Sequence, residues 1–192
     1  MKKSFIALTG ASGVLYGFGI IKAMQNAGYK VYVTATEEAL LNASAETGLV
    51  YENISDMFEK NNIKDIEIYN INDSGAAVAS GSFKVDNYII APASMGFVGR
   101  VANGISSNLA ERCADVAIKE RRSLVILFRE MPLSNIHLEN LLKLNNSGAI
   151  TIPAAPGFYH KPESINDLVD FVAGKVLDVL NIENECFKRW KS

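Results

Sequence analysis

An arginine and a glutamate, Arg129 and Glu130, directly follow the apolar run from Leu124 to Phe128. An apolar run of this length is typical of a strand that is buried on both faces of a sheet. In open α/β sheets ligands bind just outside the carboxyl ends of the strands, so charges placed there often face a ligand. A surface ion pair at the point where the chain meets water is the alternative. The two charges therefore predict either a binding edge or a solvated strand end.

Glycines and hydroxyl side chains follow three other predicted strands. The loop "TGASG" surrounds Ser12 with glycines between a strand and a helix, where free backbone N–H groups and the helix dipole favour an anion. It is neither a Walker loop nor a GxGxxG motif, and a tight turn with Ser12 as the helix cap remains the alternative. The loop "APASMGF" repeats this arrangement at Ser94, where a helix cap is again possible. Thr36 fits better as the N-cap of a helix that starts at Glu37.

Two predicted helices carry cations. In "NLAERCADVAIKERR", Arg112, Asp115 and Lys119 lie at positions i, i+3 and i+7 and share one helix face. A solvated stripe of ion pairs is the alternative for this face. In the last predicted helix Lys175 projects from the apolar arc, where a lysine either extends its amine to water or meets an anion. The pattern leaves open whether these cations face a negatively charged ligand.

Other kinds of site lack the residues that they need. His137 and His160 are the only histidines, and neither has a companion at metal-ligand spacing, so we expect no metal. Cys113 and Cys186 form no CxxC or Cys/His arrangement, which argues against a disulfide framework, a zinc site and a cysteine nucleophile. What remains is a site of hydroxyls, glycine backbone and cations, with Glu130 among them. Such a site fits one or two phosphorylated ligands.

The composition excludes several classes of partner. The chain has 192 residues and a formal net charge of -2, with no basic block longer than "KERR", so neither nucleic acid nor an anionic membrane is expected as a partner. No apolar run approaches the ~20 residues of a membrane helix. The N-terminal apolar run is interrupted too early for a signal peptide. We therefore expect a cytoplasmic protein with reduced cysteines.

Six strand-like segments alternate with helix-like ones, and no linker, repeat or low-complexity segment divides them. This alternation predicts a single domain over residues 1–192 with a doubly wound, Rossmann- or flavodoxin-like α/β fold, in which helices cover both faces of a parallel sheet. In such a sheet the loops that follow the strands gather at one edge, which brings the candidate residues together. The predicted strands are Ser4–Thr9, Lys30–Ala35, Ile66–Asn70, Asn87–Pro92, Leu124–Phe128 and Ala149–Pro153.

Several stretches resemble the UbiX-type flavin prenyltransferases, members of a flavodoxin-like superfamily that also contains flavin-dependent cysteine decarboxylases. The matching stretches cover most of the chain, and the run from Glu111 to Asp178 is the most specific. They are "TGASGVLYG", "ASGSF", "APASM", "ERCADVAIKERR", "LVILFREMPLSNIHLENLLKL", "GAITIPAAPGFYHKPESINDLVDFVAGKVLD" and the terminal "RW".

The resemblance implies an enzyme that joins a dimethylallyl group from dimethylallyl phosphate to N5 and C6 of reduced FMN, without a metal. Its product, prenylated FMN, would serve a UbiD-type decarboxylase, and the enzyme would assemble as a homododecamer with sites shared between subunits. Catalytic roles are implied for Ser12, Lys119 and Glu130. The residues implied to bind FMN are Gly10, Ala11, Ser12, Thr36, Ser94, Met95, Gly96, Phe97 and Arg129. Those implied to bind the prenyl phosphate are Arg112, Lys119, Arg129, Tyr159 and Lys175.

The chain departs from the family pattern at three positions. Lys175 stands where an arginine is common, Ala93 where a cysteine is common, and Ser74 where a tryptophan is often found. Lysine keeps the charge but lacks the planar fork of arginine, and the missing aromatic ring predicts a looser prenyl pocket.

Two other functions are open. An FMN-dependent decarboxylase of cysteine-containing substrates is disfavoured because no histidine lies between Thr34 and Gly48. A non-catalytic flavin-binding subunit is the other, although flavin binding alone does not need so many cations.

Overall fold

The computed structural model describes residues 1–190, which form a doubly wound sheet of six parallel strands. The strands are β1 (Lys3–Leu8), β2 (Lys30–Ala35), β3 (Ile66–Ile68), β4 (Asn87–Ala93), β5 (Ser123–Phe128) and β6 (Ile150–Pro153). Their order in the sheet is β3-β2-β1-β4-β5-β6. All six predicted strands are present, with ends that differ from the prediction by at most two residues. The predicted fold class is therefore confirmed.

Among the described residues, six α-helices lie between these strands and a seventh follows β6. They are α1 (Val14–Asn26), α2 (Glu37–Thr47), α3 (Ile54–Lys60), α4 (Met95–Ala102), α5 (Leu109–Lys119), α6 (Asn135–Asn146) and α7 (Ile165–Val179). A capping box begins α7, because Asp167 donates its N–H to Ser164 Oγ at 3.2 Å and its carboxylate accepts from the Ser164 N–H at 2.9 Å. No helix in residues 1–190 is long and apolar enough to cross a membrane.

Two apolar cores lie on the two faces of the sheet. Successive side chains of a strand point to opposite faces, so Ile6 and Leu8 of β1 pack into one core and Phe5 and Ala7 into the other. The first core includes buried residues of α1 and α7, and the second includes buried residues of α4, α5 and α6. Because both faces are covered, the central strands β1, β2, β4 and β5 are mostly apolar and buried.

The strand order reverses between β1 and β4, and the hydroxyl of Thr9 joins the ends of these two strands. Thr9 Oγ1 donates to the carbonyl oxygen of Pro92 at 2.9 Å and accepts from the N–H of Ser94 at 2.8 Å. The point of reversal opens a crevice at the carboxyl ends of the strands, which is where doubly wound proteins bind their ligands. Thr9 therefore fixes the two loops that border this crevice.

Candidate active site

The loop after β1 forms a tight turn that leaves Ser12 exposed. The N–H of Ala11 donates to the carbonyl oxygen of Thr9 at 2.7 Å. Gly13 is the N-cap of α1, and its φ of 105° lies in the left-handed region that favours glycine. The alternative that Ser12 caps this helix is wrong, because Gly13 holds that position and no side chain caps the helix. The Ser12 side chain is thus presented at the crevice.

Arg129 and Glu130 lie at the carboxyl end of β5, beside the Ser12 loop. The Nε of Arg129 donates to the carbonyl oxygen of Ser12 at 3.2 Å. The carboxylate of Glu130 accepts from the N–H of Met131 at 3.1 Å. Both charged side chains therefore bond to backbone groups of the crevice loops and not to each other, and the structure brings three of the predicted residues to one place.

Thr36 and Ser94 cap the helices that begin at the crevice. Thr36 Oγ1 accepts from the N–H of Ala39 at 3.2 Å, and Ser94 Oγ accepts from the N–H of Phe97 at 3.3 Å. The prediction that Thr36 is an N-cap is confirmed, and so is the cap alternative for Ser94. Since a cap satisfies only one of the free amides of a first helical turn, both helices still direct N–H groups at the crevice.

A cavity of about 210 Å³ lies between the starts of α2 and α4, and we call it the α2–α4 cavity. Its lining includes the hydroxyls of Thr9, Thr36 and Ser94, the carboxylate of Glu38 and the guanidinium of Arg100. Hydroxyls, helix amides and a cation are the groups that bind a polar ligand with a phosphate group.

Of the predicted flavin-binding glycines, Gly10 lines the α2–α4 cavity and Gly96 lies beside two of its lining residues, Ser94 and Arg100. A Cβ at Gly96 would lie 3.3 Å from Arg100 Nη1 and 4.0 Å from Ser94 Oγ, so the absence of a side chain keeps open the space between these groups. A Cβ at Gly10 would lie 2.6 Å from the Cβ of Glu38. The side chains of Met95 and Phe97 are buried, and Phe97 lines the α2–α4 cavity.

Glu46 is a site residue that the sequence reasoning missed. Its Oε1 accepts from the N–H of Gly13 at 2.5 Å, which places a carboxylate at the start of α1. Burial, and then the charge of Glu46, raise the pKa of the Tyr16 hydroxyl beside it. Glu46 follows the buried residues Ala39 and Ala43 at helical spacing, and this spacing would have placed it on the inner face of α2.

Arg100 and Glu111 form a second missed pair. The carboxylate of Glu111 is fully buried and accepts from Arg100 Nε at 2.5 Å. It also accepts from the N–H of Ser107 at 2.7 Å and from Asn108 Nδ2 at 3.1 Å. The lone polar residue on the inner face of a helix was the signal for Glu111, but its partner lies on another helix and no local pattern gives it.

Arg112 and Lys119 do not meet the crevice loops within one chain. Arg112 forms an ion pair of 3.1 Å with Asp115, and both side chains are about half exposed. Lys119 pairs with Glu120 at the end of α5, which leads into the amino end of β5 at Ser123. The five residue steps of β5 span roughly 17 Å, so Lys119 lies at the opposite edge of the sheet from Arg129.

Tyr159 and Lys175 follow β6. The ring of Tyr159 makes edge contacts with Phe171 and Trp190, at centroid distances of 5.7 and 5.1 Å. Lys175 is half exposed, and its Nζ lies 3.7 Å from Asp178 Oδ2. It is ten residues into α7, about 15 Å along a helix that leaves the crevice at Ile165. Tyr159 therefore belongs to a loop at the crevice edge of the sheet, whereas Lys175 within the same chain does not.

The fold and the crevice together define a class of protein. A doubly wound sheet whose strand order reverses at a crevice of glycine backbone, hydroxyls, helix N-termini and cations is the structure of an α/β protein that binds a phosphorylated nucleotide-like ligand. Among residues 1–190 no group of three or more metal-ligating side chains is found.

The chain belongs to the Flavoprotein family, whose model matches residues 1–177, and within it to the UbiX-type flavin prenyltransferases. The flavin prenyltransferase UbiX of Methanothermobacter thermautotrophicus is 43% identical to it over 190 residues, which cover 99% of this chain and 96% of that one.

Solved structures agree over the whole chain. The crystal structure of AnUbiX (PadA1) in complex with FMN and dimethylallyl pyrophosphate has a TM-score of 0.91 at 34% identity and covers 100% of this chain and 98% of that one. A dodecameric, FMN-dependent UbiX-like decarboxylase from Escherichia coli O157:H7 has a TM-score of 0.89 at 34% identity and covers 99% of this chain and 100% of that one. The resemblance found in the sequence is thereby confirmed.

Proposed function

We propose that this chain is a metal-independent flavin prenyltransferase that joins the dimethylallyl group of dimethylallyl phosphate to N5 and C6 of reduced FMN. The observation that carries the proposal is the junction of Arg129, Glu130 and the Ser12 loop at the crevice of a chain that matches flavin prenyltransferases over its full length. A charged residue pair, an exposed hydroxyl and a glycine loop meet where two phosphorylated compounds have to react.

The crevice fits FMN. The opening that Gly96 preserves, the amides at the start of α4 and the hydroxyl-lined α2–α4 cavity suit the ribityl phosphate chain. When bound, the flavin supplies an electron-rich ring that accepts the prenyl group. Ser12, exposed beside Arg129, is placed to donate or accept a hydrogen bond at the ring. The backbone of residues 94–97 borders the other side of the crevice.

The charged residues serve the prenyl phosphate. Breaking an allylic C–O bond places negative charge on the leaving phosphate oxygens, and preorganised cations stabilise this charge as it develops. Arg129 is fixed for this purpose by its bond to Ser12, and Tyr159 offers a hydroxyl donor from the next loop. Glu130 moves a proton between the phosphate and the flavin ring through its carboxylate, which requires hydrogen-bond reach of both.

A second copy of the chain completes the site. Arg112, Lys119 and Lys175 lie away from the crevice of their own chain and are exposed by 43 to 52%, so each can reach a ligand held by a neighbouring subunit. The dodecameric assembly of the related protein from E. coli supports this arrangement. We infer a homododecamer in which these cations bind the prenyl phosphate in the crevice of an adjacent copy.

The product defines the next partner. Prenylated FMN is a cofactor that another protein must receive, and we infer a UbiD-type decarboxylase as that protein. The proposed location is the cytoplasm.

The direct test is to incubate the protein with reduced FMN and dimethylallyl phosphate under anaerobic conditions and to measure the mass of the flavin. We expect a flavin enlarged by one dimethylallyl group, and the same yield in the presence of EDTA. A cysteine decarboxylase or a flavin carrier gives no increase in mass. An unchanged flavin, or loss of the reaction with EDTA, contradicts the proposal.

A further inference from the structure

The α2–α4 cavity is where two helices begin, and it contains a carboxylate. Hydrogen bonds from its own backbone N–H and from the Thr36 hydroxyl hold the pKa of Glu38 below its ordinary value, with a contribution from the charge of Arg100. Glu38 is therefore ionised at neutral pH. An ionised carboxylate on the wall of the cavity repels a phosphate dianion, and a cation on the same wall offsets this repulsion.

Arg100 supplies this cation. Among the described residues that line the α2–α4 cavity, it carries the one positive charge. Its side chain is 44% exposed, although its Nε bonds to a carboxylate that is fully buried. Arg100 Nη1 lies 3.3 Å from the position of a Cβ on Gly96, at the opening that the glycine preserves. One side of the guanidinium is thus fixed, and the other side faces the space left for a ligand.

Glu111 explains why the guanidinium keeps this orientation. The carboxylate accepts hydrogen bonds from three donors. The two shortest bonds come from Arg100 Nε, at 2.5 Å, and from the N–H of Ser107, at 2.7 Å. A guanidinium that is bonded through Nε cannot rotate freely, and its two Nη groups remain available for a bidentate contact. A phosphate group is the partner that this fork geometry matches.

The start of α1 is the competing position for a phosphate, and it is already occupied. The N–H of Gly13 donates to Glu46 at 2.5 Å, so a carboxylate lies where an anion would otherwise bind. The start of α4 is capped by the neutral hydroxyl of Ser94, and its first turn has no acidic residue, whereas at the start of α2 the carboxylate of Glu38 bonds to its own N–H. The anion position of this crevice is therefore at the start of α4, the helix that carries Arg100.

We propose that Arg100 binds the phosphate group of FMN in the α2–α4 cavity and makes the site select FMN over riboflavin, while Glu111 is its positioning residue. The inference rests on the proposed function and adds a cation outside the binding residues predicted from the sequence. It concerns binding alone and predicts a difference between two flavins that share the same ring.

Equilibrium binding of FMN and riboflavin to the full chain tests this inference. Flavin fluorescence is titrated with the wild type, with Arg100→Gln and with Arg100→Gln/Glu111→Gln. Arg100→Gln alone leaves the buried carboxylate of Glu111 without its cation and could fold poorly. The double variant removes this carboxylate as well, so it still measures the contact between Arg100 and the phosphate. Arg121→Gln is the matched control, because Arg121 is an exposed arginine at the amino edge of the sheet.

We expect FMN to bind roughly ten- to a hundredfold more weakly to both Arg100 variants, as for the loss of a charge-assisted hydrogen bond. The affinity for riboflavin should be unchanged in every variant, and rising salt should weaken the binding of FMN to the wild type only. If a folded Arg100 variant keeps its FMN affinity, or loses affinity for both flavins equally, Arg100 does not bind the phosphate. A wild type that binds no flavin contradicts the proposed function itself, which is a different outcome.

Discussion

Arg129 Nε donates a hydrogen bond of 3.2 Å to the carbonyl oxygen of Ser12, joining two loops whose residues are 117 positions apart in the chain. The bond uses one of the donors of the guanidinium and leaves those on its Nη atoms for a ligand. The same side chain therefore holds the loop that presents the Ser12 hydroxyl and provides a positive charge beside it. The position of the Ser12 loop and the positive charge beside it both depend on Arg129, and a mutation can remove one without the other.

Arg129→Lys should keep the charge but lose the bond through Nε, because lysine has no fork. We expect the affinity for FMN to fall about tenfold, as for the loss of one hydrogen bond to a charged group. Fluorescence titration measures the affinity, and circular dichroism checks the fold. Arg121→Lys, at the other edge of the sheet, should bind FMN as the wild type does. An unchanged affinity in Arg129→Lys means that the tether to Ser12 does not matter for the cofactor.

Glu130→Gln should bind FMN normally but prenylate it at least roughly a hundredfold more slowly, because an amide cannot carry the proton. The substitution keeps the shape of the side chain and its acceptor for the N–H of Met131. Single-turnover formation of prenylated flavin, followed by mass, gives the rate. Glu139→Gln, at an exposed position of α6, is the control. Full turnover in Glu130→Gln would show that the carboxylate has only a structural role.

Local sequence patterns were sufficient for the six strands and for the N-cap at Thr36, but they left the caps of α1 and α4 open. The apolar runs gave all six strands, and the position of Thr36 before Glu37 gave the start of α2. The hydrogen bond between Arg100 and Glu111 was not predictable in this way. The two residues lie on different helices, and the bond depends on how α4 and α5 pack together.

The position of Lys119 could have been predicted. A helix between two parallel strands must return to the amino edge of the sheet, so a lysine in its last turn lies far from the loops at the carboxyl edge. The family resemblance places Lys119 and Arg129 in one site, and within one chain this rule separates them. The proposed oligomer, in which the two edges of different copies would meet, is not encoded in any local pattern.

Gly17→Ala should lower the free energy of unfolding by roughly 3 kcal/mol, because α1 packs directly against the sheet. A Cβ at Gly17 would lie 2.4 Å from the carbonyl oxygen of Ala91, which is backbone and cannot move aside. Gly99→Ala in α4 is the control, since its Cβ would meet only Asn140 Nδ2 at 3.5 Å. This variant should gain up to about 1 kcal/mol from helix propensity. Urea unfolding of both variants measures the difference, and equal stabilities would contradict the close packing of α1.

Asp178→Asn should be less stable than the wild type at neutral pH but equally stable at acidic pH. Hydrogen bonds from Arg189, at 2.6 and 2.8 Å, and then from Asn184 hold the pKa of Asp178 below its ordinary value of 3.8. A carboxyl whose pKa is lower in the folded state stabilises the fold above the unfolded pKa, and this contribution is lost as pH falls through the folded pKa. Thermal unfolding should therefore separate the variant from the wild type at neutral pH, and the gap should begin to narrow as pH falls below about 3.8 and close below the lower pKa of the folded state. A gap that is the same at all pH values would rule out the ion pair as its cause.

Co-expression of Lys119→Ala with Glu130→Gln should restore activity that neither variant has alone. Lys119 and Glu130 lie at opposite edges of the sheet, so a site completed by a second copy takes them from different chains. In an assembly of randomly mixed subunits, about a quarter of the sites combine an intact Glu130 with an intact Lys119 of the neighbour. Prenylation by the mixture should then approach a quarter of the wild-type rate. A pair of Arg129→Met with Glu130→Gln is the control, since both residues belong to the same crevice and mixing cannot restore a site. Activity no higher than the mean of the two parents would show that each chain builds its site alone.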